Sequence, residues 1–275
     1  MRILVKIGGA QLEEAAPRLE LCKSLARARA EGHELVVVHG GGNQIRQLVR
    51  ALQIPEQYHE GLRVTDAKTA EVVLMTLAGS VNKTLVRTLQ GCGVAAVGLS
   101  GADDGLFTAS KLEKPGVDLG YVGAIDHVRP DLVTMLVGSG RVPVIATVAP
   151  AAGQTGGEPF FNLNADHAAG PLCRAFGCDA VLFLTDVPGV LDGAGARIAT
   201  LTPADCARLV ATGVAKGGMI PKLDAALMAL RDNPRALVKI APANVPDAVL
   251  AALRGNVGTQ FTTVEQKRAQ EACDG

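Results

Sequence analysis

The stretch "VVVHGGGNQI", Val36 to Ile45, decides the fold class. A short apolar run leads into a histidine, then three glycines, then a segment patterned as a helix. One glycine at a strand-to-helix turn supplies a positive φ and needs no ligand to explain it. Three in succession, Gly40 to Gly42, exceed what a turn requires. Their physical use is to bring backbone N–H groups, unobstructed by Cβ atoms, against an anion at the positive end of the following helix. An ordinary turn is the competing reading.

Outward from this junction, apolar runs recur at Ile3–Ile7, Leu35–Val38, Ala95–Leu99, Val142–Val148, Ala180–Leu184 and Ala236–Ile240. Helical patterns separate them at Arg18–Ala30, Gln44–Leu52, Ala67–Leu89, Pro130–Ser139, Asp166–Phe176, Pro203–Leu209, Met219–Leu230 and Pro246–Leu253. This alternation predicts a mostly parallel sheet with helices on both faces, joined by right-handed crossovers. Ligands on such sheets bind beyond the carboxyl ends of the strands. Three segments depart from the pattern. Leu106–Val128 reads as a small antiparallel hairpin inserted at the sheet edge, either a lid or a decoration. Ala151–Pro159 reads as a mobile loop, and Val264–Gly275 as a polar, frayed tail.

Composition narrows the partners. The 27 basic and 27 acidic residues cancel, and no long run of like charge occurs, which argues against nucleic acid and membrane surfaces. Hydrophobic residues reach 48% but aromatic ones 3%, so the core must be built from Ala, Val, Leu and Ile. Six cysteines form no C-x-x-C pair, and five histidines show no metal-ligand spacing, so reduced thiols and no metal centre are expected. "MRILVKIGG" reads as a strand rather than a leader, and no apolar run is long enough to span a bilayer; a cytoplasmic protein is the expectation.

Several residues stand out within this frame. Lys6 lies at the end of the first apolar run and precedes Gly8 and Gly9; at a carboxyl strand end it is expected to point into the ligand crevice, a solvated strand end being the competing reading. Together with Gly41 and Gly42 on the neighbouring strand end, it describes a phosphate site. "EGLRVTD" places Arg63 before a helix-capping Asp66, a residue type suited to holding a carboxylate. "FFNLNADHAAG" offers Asn162, Asn164 and Asp166 ahead of an Ala-rich helix. "KGGMIPK" sets Gly217 and Gly218 before Lys222. His39 is expected to orient the glycine loop. No P-loop or dinucleotide fingerprint is present. "HGGG" also matches the oxyanion-hole motif of lipase-like hydrolases, but those enzymes need a G-x-S-x-G elbow, and none exists in the chain.

In this order, "KIGG" (6–9), "VVHGGG" (37–42), "GLRVTD" (61–66), "VNK" (81–83), "GLSGADDG" (98–105), "NLNAD" (162–166), "LTDVPGVL" (184–191) and "GGMIPKL" (217–223) resemble the amino acid kinase family. Within it, the match is strongest to the branch that phosphorylates the side-chain carboxylate of N-acetyl-L-glutamate in arginine biosynthesis. Asn43 departs from the pattern, standing where many members carry proline.

The resemblance implies an α/β fold, an open three-layer αβα sandwich with a central, mostly parallel sheet. It implies a single domain over residues 1–275, with an acceptor lobe at about 1–163 and an ATP lobe at about 164–275. It also implies roles. Lys6 and Lys222 would stabilise the transferring phosphoryl group from opposite sides, and Asp166 would orient them. Gly8 and Gly9 would contact the nucleotide phosphates, and Gly41, Gly42, Arg63 and Asn162 would hold the acceptor. Thr185, Asp186, Gly189, Leu191, Gly217 and Gly218 would serve the ATP half. Mg²⁺ would travel with the nucleotide rather than on protein ligands. A homodimer insensitive to arginine is expected, because the chain opens directly on its first strand.

The chemistry accounts for a missing catalytic histidine. A carboxylate with a reference pKa of about 4.3 is already ionised at neutral pH, so it needs no general base. Transfer to it requires positioning and cancellation of negative charge. Two alternatives stay open on sequence alone: a kinase for a carrier-protein-linked aminoadipate or glutamate, and a non-catalytic nucleotide-binding regulator on the same scaffold. Retention of both lysines and Asp166 weighs against the regulator.

Overall fold

The computed structural model describes residues 1–266, apart from 155, 256 and 265. The strands are β1 (Arg2–Ile7), β2 (Glu34–His39), β3 (Tyr58–His59), β4 (Leu62–Arg63), β5 (Ala96–Leu99), β6 (Phe107–Lys111), β7 (Val122–Val128), β8 (Val142–Ala146), β9 (Val148–Ala149), β10 (Phe161–Leu163), β11 (Ala180–Thr185), β12 (Thr200–Leu201), β13 (Leu237–Pro242) and β14 (Thr259–Phe261). The α-helices are α1 (Ala15–Ala30), α2 (Gly42–Ala51), α3 (Ala67–Leu74), α4 (Asn82–Gly91), α5 (Asp131–Gly138), α6 (Ala165–Ala175), α7 (Pro203–Ala211), α8 (Met219–Asp232) and α9 (Ala248–Arg254). Among the described residues, no helix is long and apolar enough to cross a membrane.

Eight strands form the main sheet in the order β12-β14-β13-β11-β1-β2-β8-β5. Pairing is parallel from β13 through β5; β14 runs antiparallel to β13, and β12 pairs parallel with β14 at the far edge. The inner strands are apolar along their whole length because both faces are covered, as parallel sheets require. Ile3, Val5 and Ile7 face α1, α4 and α9, whereas Leu4, Val36, Val38 and Phe183 face α5, α6, α7 and α8. The expected three layers are therefore present. The period-2 alternation of β1 places Lys6 on the same face as Leu4, the α6 side.

Three sequence expectations require correction. The hairpin of Leu106–Val128 does not extend the main sheet: β6 and β7 pair with each other and build a separate four-stranded sheet with β10 and β9, in the order β6-β7-β10-β9. Between β7 and the α6–α8 pair lies an apolar cavity of about 1010 Å³, bordered by Val122, Ile125, Pro171 and Met228. The run Val142–Val148 is not one strand. β8 ends at Ala146 and β9 begins at Val148, so the chain passes from one sheet to the other at the buried Thr147.

The single helix expected over Ala67–Leu89 is interrupted by a wider π-type stretch at Met75–Val81. Such insertions re-aim side chains, often near functional sites. Here they bring Leu77 and Val81 against the glycine loop: a Cβ on Gly41 would stand 2.7 Å from Leu77 Cδ2 and 3.3 Å from Val81 Cγ2. The loop of 151–159 has neither helix nor strand in its described residues. The polar tail expected at 264–275 lies outside the described residues from 267 onward.

Candidate active site

Two helix starts and one strand end converge at the carboxyl edge of the main sheet. α2 begins at Gly42 with Gly41 as its N-cap. α6 begins at Ala165, where the Asn164 side chain accepts from the Asp166 amide at 2.9 Å. Each start offers the positive end of a helix dipole. Between them lies a cavity of about 260 Å³ lined by Gly40 to Asn43, Arg63, Asn162 and Ala165 among others.

The glycines divide by what surrounds them. A Cβ on Gly9 would stand 3.1 Å from Gly41 Cα and from Gly42 N, so the loops after β1 and β2 pack backbone to backbone. Gly42 is different: a Cβ there would meet no protein atom within 4 Å. Packing gives no reason for the missing side chain, and the open space matches a cradle kept clear for a ligand.

Lys6 projects from β1 towards the first turn of α6. Its Nζ lies 2.6 Å from Asp166 Oδ1, while Lys222 Nζ, from the first turn of α8, lies 3.5 Å from Asp166 Oδ2. One carboxylate thus holds two ammonium groups. Burial pushes the Lys6 pKa down and Lys222 adds to this, with Asp166 opposing both. Burial pushes Asp166 up, but the two lysines outweigh it and hold the carboxyl below its ordinary value. The centre carries excess positive charge beneath two helix N-termini, an arrangement that draws a polyanion.

Behind the loop, His39 is fully buried at the end of β2. Burial lowers its pKa to about 4, so the ring is neutral at neutral pH, despite the opposing hydrogen bond to the Gly40 carbonyl. That carbonyl can only accept, so Nδ1 donates to it at 3.0 Å, leaving Nε2 to accept from Asn82 Nδ2 at 3.0 Å. Asn82 also donates to the Val144 carbonyl at 2.9 Å, and its Oδ1 accepts from Lys83 Nζ at 3.2 Å. Gly98 leaves the room this asparagine needs, since a Cβ there would overlap its Oδ1. His39 ties the glycine loop to α4.

Across the cavity, Arg63 Nη2 donates to the Gly42 carbonyl at 3.2 Å. Its Nη1 pairs with Glu56 Oε2 at 2.5 Å, and its guanidinium lies 4.8 Å from the Tyr58 ring centroid. Asn162 Nδ2 donates to Thr65 Oγ1 at 3.3 Å, and Thr65 in turn donates to the Arg63 carbonyl at 2.8 Å. The structure therefore brings together Lys6, Asp166 and Lys222 in one group, and Gly42, Arg63 and Asn162 in another. Gly8 donates to the Leu184 carbonyl at 3.3 Å, which places it beside Thr185, whose hydroxyl bonds Asp186 at 2.9 Å.

Gly189 and Leu191 stand further off. Gly189 has φ 142° and a Cβ there would lie 2.7 Å from Thr259 Oγ1, so packing on β14 suffices to require glycine. Leu191 pairs with Arg197. Gly217 and Gly218 are exposed in the turn before α8. Sequence reasoning missed Glu56, Tyr58 and Arg46, which surround Arg63, and the hydrogen-bonding part played by Asn82. Their signal is faint, because Glu56 lies in a loop with no period to mark it, and Arg46 and Asn82 read as ordinary polar positions on helices.

No group of three or more His, Cys, Asp or Glu side chains suited to a metal occurs among the described residues. The sequence profile of the amino acid kinase family matches residues 1–239. An acetylglutamate kinase from Solibacter usitatus is 43% identical over 264 residues, covering 96% of this chain and 100% of that one. An acetylglutamate kinase from Gluconacetobacter diazotrophicus is 41% identical over 266 residues, covering 93% and 83%. The crystal structure of smu.665 from Streptococcus mutans superposes with a TM-score of 0.79 at 27% identity, covering 95% and 98% of the two chains.

Proposed function

The chain belongs to the amino acid kinase family, and we propose that it transfers the γ-phosphoryl group of ATP to the side-chain carboxylate of N-acetyl-L-glutamate in arginine biosynthesis. Relatives with that activity in their names match at about 40% identity over most of the chain. The observation that carries the reading is the Lys6–Asp166–Lys222 array beneath the two helix starts. A carboxylate oxygen of the acceptor attacks Pγ, the bond from Pγ to the β-phosphate bridging oxygen breaks, and an acyl phosphate and ADP leave. No proton moves in this exchange, so the array needs cations and positioning rather than a general base. Two ammonium groups cancel the charge on the equatorial oxygens, and Gly41 and Gly42 offer amides where the two reactants meet.

In this reading the segment at about 1–163 carries the acceptor on Gly41, Gly42, Arg63 and Asn162. The segment at about 164–275 carries the nucleotide, with Thr185, Asp186, Gly189, Leu191, Gly217 and Gly218 along it and Gly8 and Gly9 on its phosphates. Mg²⁺ would be held by the nucleotide rather than by protein carboxylates, since Asp166 is already paired with two lysines, and would supply further charge cancellation. The protein acts in the cytoplasm as a homodimer that arginine does not inhibit.

The test is ADP release from Mg-ATP with hydroxylamine present to trap acyl phosphate, comparing N-acetyl-L-glutamate with glutamate, aspartate and N-acetylaspartate. Turnover confined to N-acetyl-L-glutamate supports the reading; turnover with none of them overturns it. Light scattering with and without millimolar arginine tests the assembly.

A further inference from the structure

Two segments meet at the centre of the site: the turn after β1, which carries Gly8 and Gly9, and the start of α2, which carries Gly41 and Gly42. Contact limits how closely they approach, since a Cβ on Gly9 would already stand 3.1 Å from Gly41 Cα and Gly42 N. Repulsion sets only a lower limit on that spacing. Dispersion between so few atoms is a weak hold against their drifting apart.

Gln44 supplies the upper limit. From the first turn of α2 its Nε2 donates to the Gly9 carbonyl at 3.3 Å. A carbonyl only accepts, so the amide has to present Nε2 there. Gln44 Oε1 then lies 3.5 Å from where a Cβ on Gly41 would stand. It is buried and, among the described residues, has no hydrogen-bond partner. One residue earlier, Asn43 Nδ2 donates to Glu13 Oε1, a second strap between the same two segments on their exposed side.

The orphaned oxygen separates two roles for this side chain. A buried polar atom without a partner costs more stability than one neutral hydrogen bond commonly returns. An apolar side chain of the same length would therefore serve packing better. Stability does not account for a glutamine here, whereas its Nε2 bond fixes a spacing on which the reaction depends.

We propose that Gln44 is a positioning residue that holds the Gly8–Gly9 turn against Gly41 and Gly42 at the spacing phosphoryl transfer requires. It acts through the two segments and not on the reactants. This rests on the function proposed above, in which Gly8 and Gly9 lie on the nucleotide phosphates and Gly41 and Gly42 lie where the reactants meet. Transfer depends steeply on the separation of the acceptor oxygen and Pγ. Binding of each substrate draws on many contacts that the strap leaves alone.

The test measures kcat, the KM for ATP and for N-acetyl-L-glutamate, and the thermal midpoint in the wild type, Gln44→Met and Gln44→Asn. Methionine keeps the length and removes the donor and the orphaned oxygen together. Asparagine keeps the amide but is one methylene too short to reach Gly9. In both variants kcat falls about tenfold or more, the scale of a misplaced reactant, while both KM values hold. Gln44→Met melts at the wild-type temperature or above it. Wild-type kcat in either variant, or KM values that rise as much as kcat falls, overturns the proposal. So does a Gln44→Met protein that is less stable than the wild type or does not fold, because the side chain would then be structural. A wild-type protein that turns over no acceptor overturns the proposed function, and this proposal with it.

Discussion

Lys6 Nζ stands 2.6 Å from Asp166 Oδ1, joining a central strand of the main sheet to the first turn of α6. Both side chains are nearly buried, with 6% and 14% exposure. Breaking such a pair from one side leaves an uncompensated charge, which costs about 3 kcal/mol or more. Asp166→Asn is therefore expected to lower stability by roughly that amount and to abolish most turnover. Adding Lys6→Met should recover part of the stability, because the two changes share one interaction. Urea titrations of the two single variants and the double variant check this; strictly additive losses would show that the pair does not couple.

Lys222 is less buried, at 25% side-chain exposure, and its 3.5 Å contact with Asp166 is looser. It is free to follow charge that develops on the phosphoryl group. Lys222→Ala should lower kcat by about a hundredfold or more, the scale of a lost transition-state donor, with modest change in the KM for ATP. Steady-state kinetics decide it: equal damage to binding and turnover would mean that the lysine serves the ground state instead.

Gly42 and Gly9 make a contrast within one site. A Cβ on Gly42 meets no protein atom within 4 Å, and the position opens a helix. Gly42→Ala should leave stability unchanged or raised by about 0.5–1 kcal/mol, yet turnover should fall at least tenfold as the methyl group enters the cradle. A Cβ on Gly9 would press on backbone atoms at 3.1 Å. Gly9→Ala should lose both stability and turnover. Thermal melts beside activity assays separate the two, and full activity in Gly42→Ala would refute the cradle.

The buried ring of His39 makes the fold sensitive to acid. Its pKa is about 4 when folded against a reference value of 6.5, so the unfolded chain binds more protons between those values. Stability from the neutral ring is complete above the unfolded pKa and is lost as pH falls through the folded one. The difference corresponds to a contribution of about 3 kcal/mol. His39→Gln removes this term. Its denaturation midpoint should fall less than that of the wild type between pH 7 and pH 4.5, and parallel pH profiles would count against the assignment.

Much of the protein is written locally. The alternation of apolar runs and helical patterns determined the three-layer α/β architecture, because parallel strands covered on both faces must be apolar throughout and each crossover must hold a helix. The glycine triplet and the Asn-rich start of α6 were equally legible, since caps and cradles depend on a few consecutive residues. Such strands carry no sign of which face a side chain takes. It was therefore the register of β1 against β11 and β2 that turned Lys6 towards Asp166, and the packing of α6 on α8 that brought in Lys222 from 56 residues away. The second sheet, the π-type turn behind Gly41 and the Glu56–Arg46–Arg63 cluster likewise come from tertiary structure alone. Each is a contact between segments whose local preferences are silent about one another, and only burial and charge in the folded chain select it.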